Sequence, residues 1–327
     1  MNVRPSAFSK AEAKYPVAVT RHIAGLIDPA DANDPIARQF LPGETELLTT
    51  PEERADPIGD NRHSPVPGIV HRHADRVLFK PVMVCPVYCR FCFRREMVGP
   101  DAETLSPQAY DDAFAYIAAH PEIAEIIVTG GDPFVLSARR AGDIATRAAS
   151  IPHIRKLRWH SRVPVVDPAR INETFANAIR LERGQTRVAV HANHPREFTP
   201  EAREACARLK NAGIELLSQS VLLKGVNADI ETLESLVRAF LETGVRPYYL
   251  HHPDLAPGTS HFRVTVEEGR ALVRALHARI SPAPDYMLDI PGGYAKVSLL
   301  SENVQARGGG KWRVRDPAGR WHIYPPE

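Results

Sequence analysis

From residue 76 onward the chain alternates short apolar runs with amphipathic stretches. The runs fall at 76–84, 123–129, 155–160, 187–191, 214–220 and 246–251, each of strand length and bounded by turn-forming residues. Between them, 107–119, 138–150, 200–212 and 230–243 carry apolar residues at helical spacing. Gly213 and Gly244 stand where a helix would stop and the next strand begin. Strands alternating with helices in series predict a parallel sheet with right-handed crossovers. Eight units would close a full barrel; six predict an α/β fold, a partial (β/α)6 TIM-like barrel open on one side. Before residue 70 the sequence is rich in Pro, Asp and Arg, and only 11–23 and 35–41 have helical character. The expected organisation is an N-terminal, partly helical extension (1–70), the partial barrel (71–280) and a C-terminal extension (281–327).

Composition narrows the function without choosing it. A chain of 327 residues, 43% hydrophobic and 24% charged, suits one soluble barrel domain. A formal net charge of +2 gives no general pull toward nucleic acid or membrane. There is no long apolar run, and Met1-Asn2-Val3-Arg4 does not open a secretion signal, so a cytoplasmic location is expected. The Gly-rich, basic 307–311 stretch reads as a solvated loop, because no apolar strand precedes it to make a phosphate cradle.

Candidate chemistry gathers where strands end, as parallel α/β architectures require. Three of the four cysteines, Cys85, Cys89 and Cys92, lie in one loop after the first predicted barrel strand. That spacing is poor for disulfides and suits a metal centre. Three thiolates can hold a four-iron, four-sulfur cluster and leave one iron open. Zinc is the rival reading; it wants a fourth ligand, for which His160, His191, His194, His251 and His252 are candidates. Cys206 falls inside a predicted helix and reads as a packed apolar residue. The next strand ends in Thr129-Gly130-Gly131-Asp132-Pro133, which by itself reads as a turn.

The C-x3-C-x2-C loop, with Phe91 before its last cysteine, resembles the radical S-adenosylmethionine superfamily. A closer resemblance runs over roughly 70–300, through His71-Arg72-His73, Cys92-Phe93-Arg94-Arg95, Ser161-Arg162-Val163-Pro164-Val165, His191-Ala192-Asn193-His194-Pro195, Gln219–Asn227 and Asp289-Ile290-Pro291-Gly292-Gly293-Tyr294-Ala295-Lys296. In this order these segments are similar to lysine 2,3-aminomutases. The resemblance implies a barrel of the radical S-adenosylmethionine type, a [4Fe-4S] cluster on the three cysteines, S-adenosylmethionine and pyridoxal 5'-phosphate. It implies Lys296 as the catalytic, pyridoxal-carrying lysine, and Arg72, Arg76 and Arg162 as phosphate contacts. Gly130, Gly131, Asp132, His191 and Asn193 become further cofactor contacts. Arg94 would clamp the substrate carboxylate, and Asp254 with Asp289 would receive a lysine ammonium.

The implied reaction is 2,3-migration of the amino group of L-lysine, giving β-lysine, with a flavodoxin or ferredoxin as electron donor. Two variants use the same chemistry: β-lysine supply for modification of elongation factor P, and a 2,3-aminomutase for another amino acid such as arginine. A cluster protein serving only electron transfer is the non-enzymatic alternative; it would need a fourth protein ligand and no use for Lys296. Tyr294-Ala295 departs from the two further glycines of the best-known members. The cysteine-rich tail that holds zinc between subunits in some members is also missing, so a homo-oligomer would be joined differently.

Overall fold

Every apolar run named above becomes a strand in the computed structural model, which describes residues 14–99, 102 and 104–325. A hairpin of β1 (Ile69–His73) and β2 (Arg76–Val82) begins one sheet, followed by β3 (Glu125–Gly130), β4 (Lys156–Ser161), β5 (Gln185–His191), β6 (Glu215–Val221) and β7 (Arg246–His251). The order continues through β8 (Asp285–Asp289) and β9 (Lys296–Ser298), so the nine strands lie side by side in chain order. Strands β2 to β8 pair in parallel, while β1 and β9 close the two edges antiparallel. The parallel array thus has one more strand than the six apolar runs predict. Strand β8 escapes detection because it is short, acidic at both ends and set among Pro282, Pro284 and Pro291.

Two single-turn helices, α1 (Arg21–Ala24) and α2 (Ala37–Phe40), precede the sheet. The expected helix at 11–23 lies partly outside the described residues; of the rest, Lys14 is helical, 15–20 are not, and α1 starts afresh at Arg21 behind its cap Thr20. The crossovers are α3 (Pro107–Ala118), α4 (Ala138–Ser150), the short pair α5 (Val163–Val166) and α6 (Glu173–Ala178), α7 (Pro200–Asn211), α8 (Ile230–Glu242) and α9 (Val266–Arg279). Side-chain oxygens of Ser106, Ser137, Thr199, Asp229 and Thr265 cap the five long helices at their N-termini. A separate three-stranded sheet, β10 (Val304–Gly308), β11 (Lys311–Arg315) and β12 (Trp321–Tyr324), follows. No helix among the described residues is long and apolar enough to cross a membrane.

Strand alternation sorts side chains between helix-facing and inward positions. On β2, Phe79 packs against Tyr110 and Phe114 of α3 at 5.4 and 5.3 Å, so Leu78 and Lys80 point inward. On β4, Trp159 meets Phe134 and gives its ring N–H to the Ile179 carbonyl, which turns Arg158 and His160 inward. The inner face is therefore polar. Its charged floor is the buried pair Arg158–Glu125, closed at 2.6 Å.

Segments of the N-terminal extension reach under the strand ends. Glu46, 1% exposed, receives Arg90 Nε at 2.9 Å and is also paired with Arg95. Arg95 Nη1 continues to the carbonyls of Pro257 and Gly258. One carboxylate thereby ties the cysteine loop to the loop that carries Asp254. Glu46→Gln leaves two buried guanidinium groups short of a counter-charge and is expected to cost about 3–5 kcal/mol. Chemical denaturation checks the loss, and a lower iron content per folded chain checks the loosening of the loop.

Candidate active site

The cysteine loop starts directly after β2 and is laced to the end of β3. Gly131 N–H donates to the Val82 carbonyl at 2.8 Å, and Asp132 N–H to the Val84 carbonyl at 3.0 Å. A Cβ at Gly130 or Gly131 would run into those same carbonyl oxygens, and Gly130 has φ +114°. Both glycines are thus explained by the approach of the cysteine loop's own backbone. Asp132 is likewise occupied. Its carboxylate takes Ser161 Oγ and Arg162 N–H, each at 2.7 Å, and Phe134 N–H at 3.0 Å. Burial raises its pKa despite these donors.

Arg162 follows β4 and turns to the thiols. Its Nη1 lies 2.9 Å from Cys89 Sγ, and its Nη2 donates to Gln39 Oε1 at 2.5 Å and Glu197 Oε2 at 2.9 Å. Burial, with Asp132 and the neighbouring thiols adding to it, pushes Cys85 well up. Burial and Cys89 push Cys92 up to about 11. A cationic iron centre would reverse both shifts, so a buried trio of soft donors beside a guanidinium fits a cluster. Among the described residues no three His, Cys, Asp or Glu side chains are arranged to hold a single metal ion, as the zinc reading needs. Cys206 is fully buried on α7 within the core.

At the other end of the sheet, β8 and β9 pair so that Asp289 stands opposite Lys296. Lys296 Nζ donates to Asp289 Oδ2 at 2.8 Å and to His251 Nδ1 at 3.2 Å, with the Tyr249 ring 5.4 Å away. Burial favours the neutral acid at Asp289, yet Lys296 and His251 hold its carboxyl well below the ordinary range. Desolvation and Lys296 depress His251 to about 4, and desolvation, His251 and Arg162 depress His191 to about 3. His160, also buried, is pushed well down with Lys296 among the causes. The inner face is thus lined with neutral imidazoles.

Asp254 differs from the other acids. Burial and the nearby Asp289 charge raise its pKa to about 8, and among the described residues no hydrogen bond or ion pair reaches its carboxylate. Arg94 lies across the same space. Its Nε and Nη2 bind Asp60 Oδ2 at 3.1 and 2.9 Å, while Nη1 has only 3.5 Å contacts, to Thr129 Oγ1 and the Gly130 carbonyl. Arg72 bridges Asp60 at 3.3 Å and Asp289 at 3.6 Å, and its Nε is buried without a partner. His160 Nε2, Gln219 Oε1 and His251 Nε2 are buried and unpartnered as well. Orphaned donors and acceptors beside Lys296 are what a polar, anionic cofactor such as pyridoxal phosphate would satisfy.

The candidates therefore divide. Lys296, Asp289, Asp254, Arg94, Arg72 and His191 share the polar interior, and the cysteines adjoin it through Arg162. Three do not open toward a ligand. Arg76 sits at the start of β2, the end opposite the cysteine loop, and forks onto Asp75 at 2.8 and 2.9 Å. Asn193 is spent within the protein, with Nδ2 on Gln39 and Oδ1 accepting Val221 N–H. Asp132 staples β3 to β4. Arg162 serves the thiol end and not the Lys296 end. Three residues that the sequence reading does not single out belong to the site: Asp60, Lys80 and Gln39; His160, considered there only as a zinc ligand, joins them. Of these, only the alternation of β2 offers a signal, for Lys80.

Residues 80–237 match the family description Radical SAM superfamily. The cysteine loop, the curled parallel sheet and this match define the class: a radical S-adenosylmethionine enzyme. The chain is 35% identical to L-lysine 2,3-aminomutase of Clostridium subterminale over 93% of its own length and 73% of that protein. It is 36% identical to the protein of the same name from Escherichia coli, over 88% and 84%. A glutamate 2,3-aminomutase of Clostridioides difficile is 33% identical over 89% and 69%. The chain belongs to the lysine 2,3-aminomutase family of isomerases, and that family implies the cluster, S-adenosylmethionine and pyridoxal phosphate.

Proposed function

We propose that the protein is an L-lysine 2,3-aminomutase that moves the α-amino group to the β-carbon. The carrying observation is Asp254, a half-buried carboxylate that no hydrogen bond or ion pair reaches among the described residues, beside Asp289 in a space that also holds Lys296. Two close carboxylates are costly unless a cation joins them. An amino acid ending in an ammonium supplies that cation; glutamate would add a third negative charge.

When bound, the cluster and S-adenosylmethionine supply hydrogen-atom abstraction, and pyridoxal phosphate supplies the conjugated group that carries the migrating nitrogen. Cys85, Cys89 and Cys92 would hold the first, with Arg162 beside Cys89. Lys296 would hold the pyridoxal, with Arg72 toward its phosphate. His191 lies between the two ends, sensing both Arg162 and His251. His251 Nδ1 lies 3.2 Å from Lys296 Nζ and 3.6 Å from Asp289 Oδ2, and its Nε2 is buried without a partner. It can hold or return a proton at Lys296 Nζ as that amine changes partners. Arg94 takes the substrate carboxylate on its free Nη1 edge while Asp60 fixes the other edge.

Lys296 now occupies the oxygen of Asp289 that a substrate ammonium would use. With Lys296 engaged by pyridoxal phosphate, Asp289 would be free to join Asp254. Substrate and cofactor binding are coupled through that one carboxylate. Reconstituted under anaerobic conditions and reduced, the protein is expected to make β-lysine from L-lysine, with little product from arginine or glutamate. Product analysis by chromatography checks this, and preferential turnover of glutamate would refute the charge argument.

A further inference from the structure

Asp60 carries more positive charge than one carboxylate can balance. Arg94 holds its Oδ2 at 2.9 Å, Arg72 reaches its Oδ1 at 3.3 Å, and Lys80 Nζ stands 3.8 Å from the oxygen Arg94 already occupies. Arg72 is shared with Asp289, itself engaged by Lys296. Lys80 thus has the longest contact and no other acidic partner within ion-pair reach among the described residues. Its side chain is only 12% exposed. Burial, reinforced by Arg94, pushes its pKa down, as expected of an ammonium without enough counter-charge. Lysine is seldom buried without a good partner. Lys80 Nζ and Arg94 Nη2 meet on the same oxygen of Asp60, and the remaining amino group of that guanidinium, Nη1, has only 3.5 Å contacts.

We infer that Lys80 is a substrate-binding residue which, with Arg94, forms a two-cation seat for the carboxylate of a free amino acid. The inference rests on the aminomutase reading and deepens it by naming the substrate class. A seat built from two cations over one shared carboxylate selects for an anion, so lysine whose carboxyl is tied up as an amide or ester is a poor ligand. The substrate is the free amino acid, not a peptidyl or aminoacyl form. Asp60 acts as the positioning residue, holding both cations from the N-terminal extension.

The test is calorimetric binding to anaerobic, unreduced holoenzyme, in which nothing turns over. Lysine, arginine and glutamate are each compared with their own carboxamides, in the unaltered protein and in Lys80→Met and Lys80→Arg. Lysine is expected to bind at least about tenfold more tightly than lysinamide, a preference that Lys80→Met largely erases and Lys80→Arg largely keeps. Lysinamide should bind the Met variant about as well as the unaltered protein. If Lys80→Met instead weakens lysine and lysinamide equally, or leaves the preference intact, Lys80 is only a structural partner of Asp60 and the proposal fails. If arginine or glutamate binds in place of lysine, with a carboxylate preference that falls in Lys80→Met, the lysine reading fails and the Lys80 seat stands. Should no amino acid be preferred over its amide, the seat does not exist. Lys80→Gln replaces the Met variant if that one does not fold.

Discussion

Lys296→Ala is expected to lower aminomutation by on the order of 10³-fold or more, about 4 kcal/mol in the barrier. The substitution removes the lysine that, alone among the described residues, reaches Asp289 and His251, through the antiparallel pairing of β9 with β8. S-adenosylmethionine cleavage should persist at a slow, uncoupled rate, because the cysteine loop lies at the opposite end of the parallel array and does not depend on β9. Reduced holoenzyme assayed in parallel for β-lysine and 5'-deoxyadenosine separates the two. Loss of a partner from buried Asp289 could also unfold the protein, so Lys296→Arg is the control. It keeps a cation over Asp289 and cannot take the pyridoxal, and should be folded yet equally inactive. Full turnover in either variant would remove Lys296 from the chemistry.

The second large effect concerns Asp254 and pH. With the site empty its carboxyl is pushed up to about 8, so at neutral pH it is mostly protonated. An incoming ammonium needs the carboxylate and must displace that proton. Apparent lysine affinity is therefore expected to fall about tenfold for each unit below pH 8, and to level off above it until lysine loses its own proton near ~10. Asp254→Asn should weaken binding by about tenfold to a hundredfold at pH 9 and flatten this dependence. The stability of the empty protein has the opposite sense. A carboxyl whose folded pKa is raised contributes stability that is complete below about pH 4, its unfolded value, and is lost as pH rises through about 8. Asp254→Asn removes that loss, so the empty variant should melt higher than the unaltered protein at pH 9. A variant whose lysine affinity tracks pH as before would show that another group titrates.

The two effects share a cause. Among the described residues Asp289 is satisfied by Lys296, while Asp254 has only its own proton, so the empty site lacks the cation that would ionise Asp254 and is long on cations around Asp60. A zwitterion with an ammonium at its far end corrects both imbalances at once. This complementarity argues for a lysine-like substrate more strongly than sequence identity in the mid-thirties, which a glutamate enzyme approaches too.

Much of the barrel was legible because parallel strands buried on both sides read as apolar runs, and their crossover helices read by periodicity. The cysteine loop was legible because its spacing has no comparable structural use, whereas Lys296, which after a glycine turn would otherwise read as surface charge, was legible only through the resemblance of its flanks. Asp132 and Asn193 are ambiguous for the reverse reason: buried polar residues at strand ends face either a ligand or the neighbouring loop, and spacing cannot say which. Here the protein's own donors took them. Strand β8 and the 44–63 segment stayed hidden because prolines and acids break their periodicity.

By itself, then, the amino-acid sequence determined the order of strands and helices, the thiol trio and the class of chemistry, since each depends on residue type and local spacing. Only the tertiary structure decided that Glu46 clamps the cysteine loop, that Asp60 gathers Arg72, Lys80 and Arg94, and that Asp254 is left without a partner. Those are matters of which distant side chains meet away from water. There the energy of a charge is set by its neighbours in space, and neighbours in space are not neighbours in the chain.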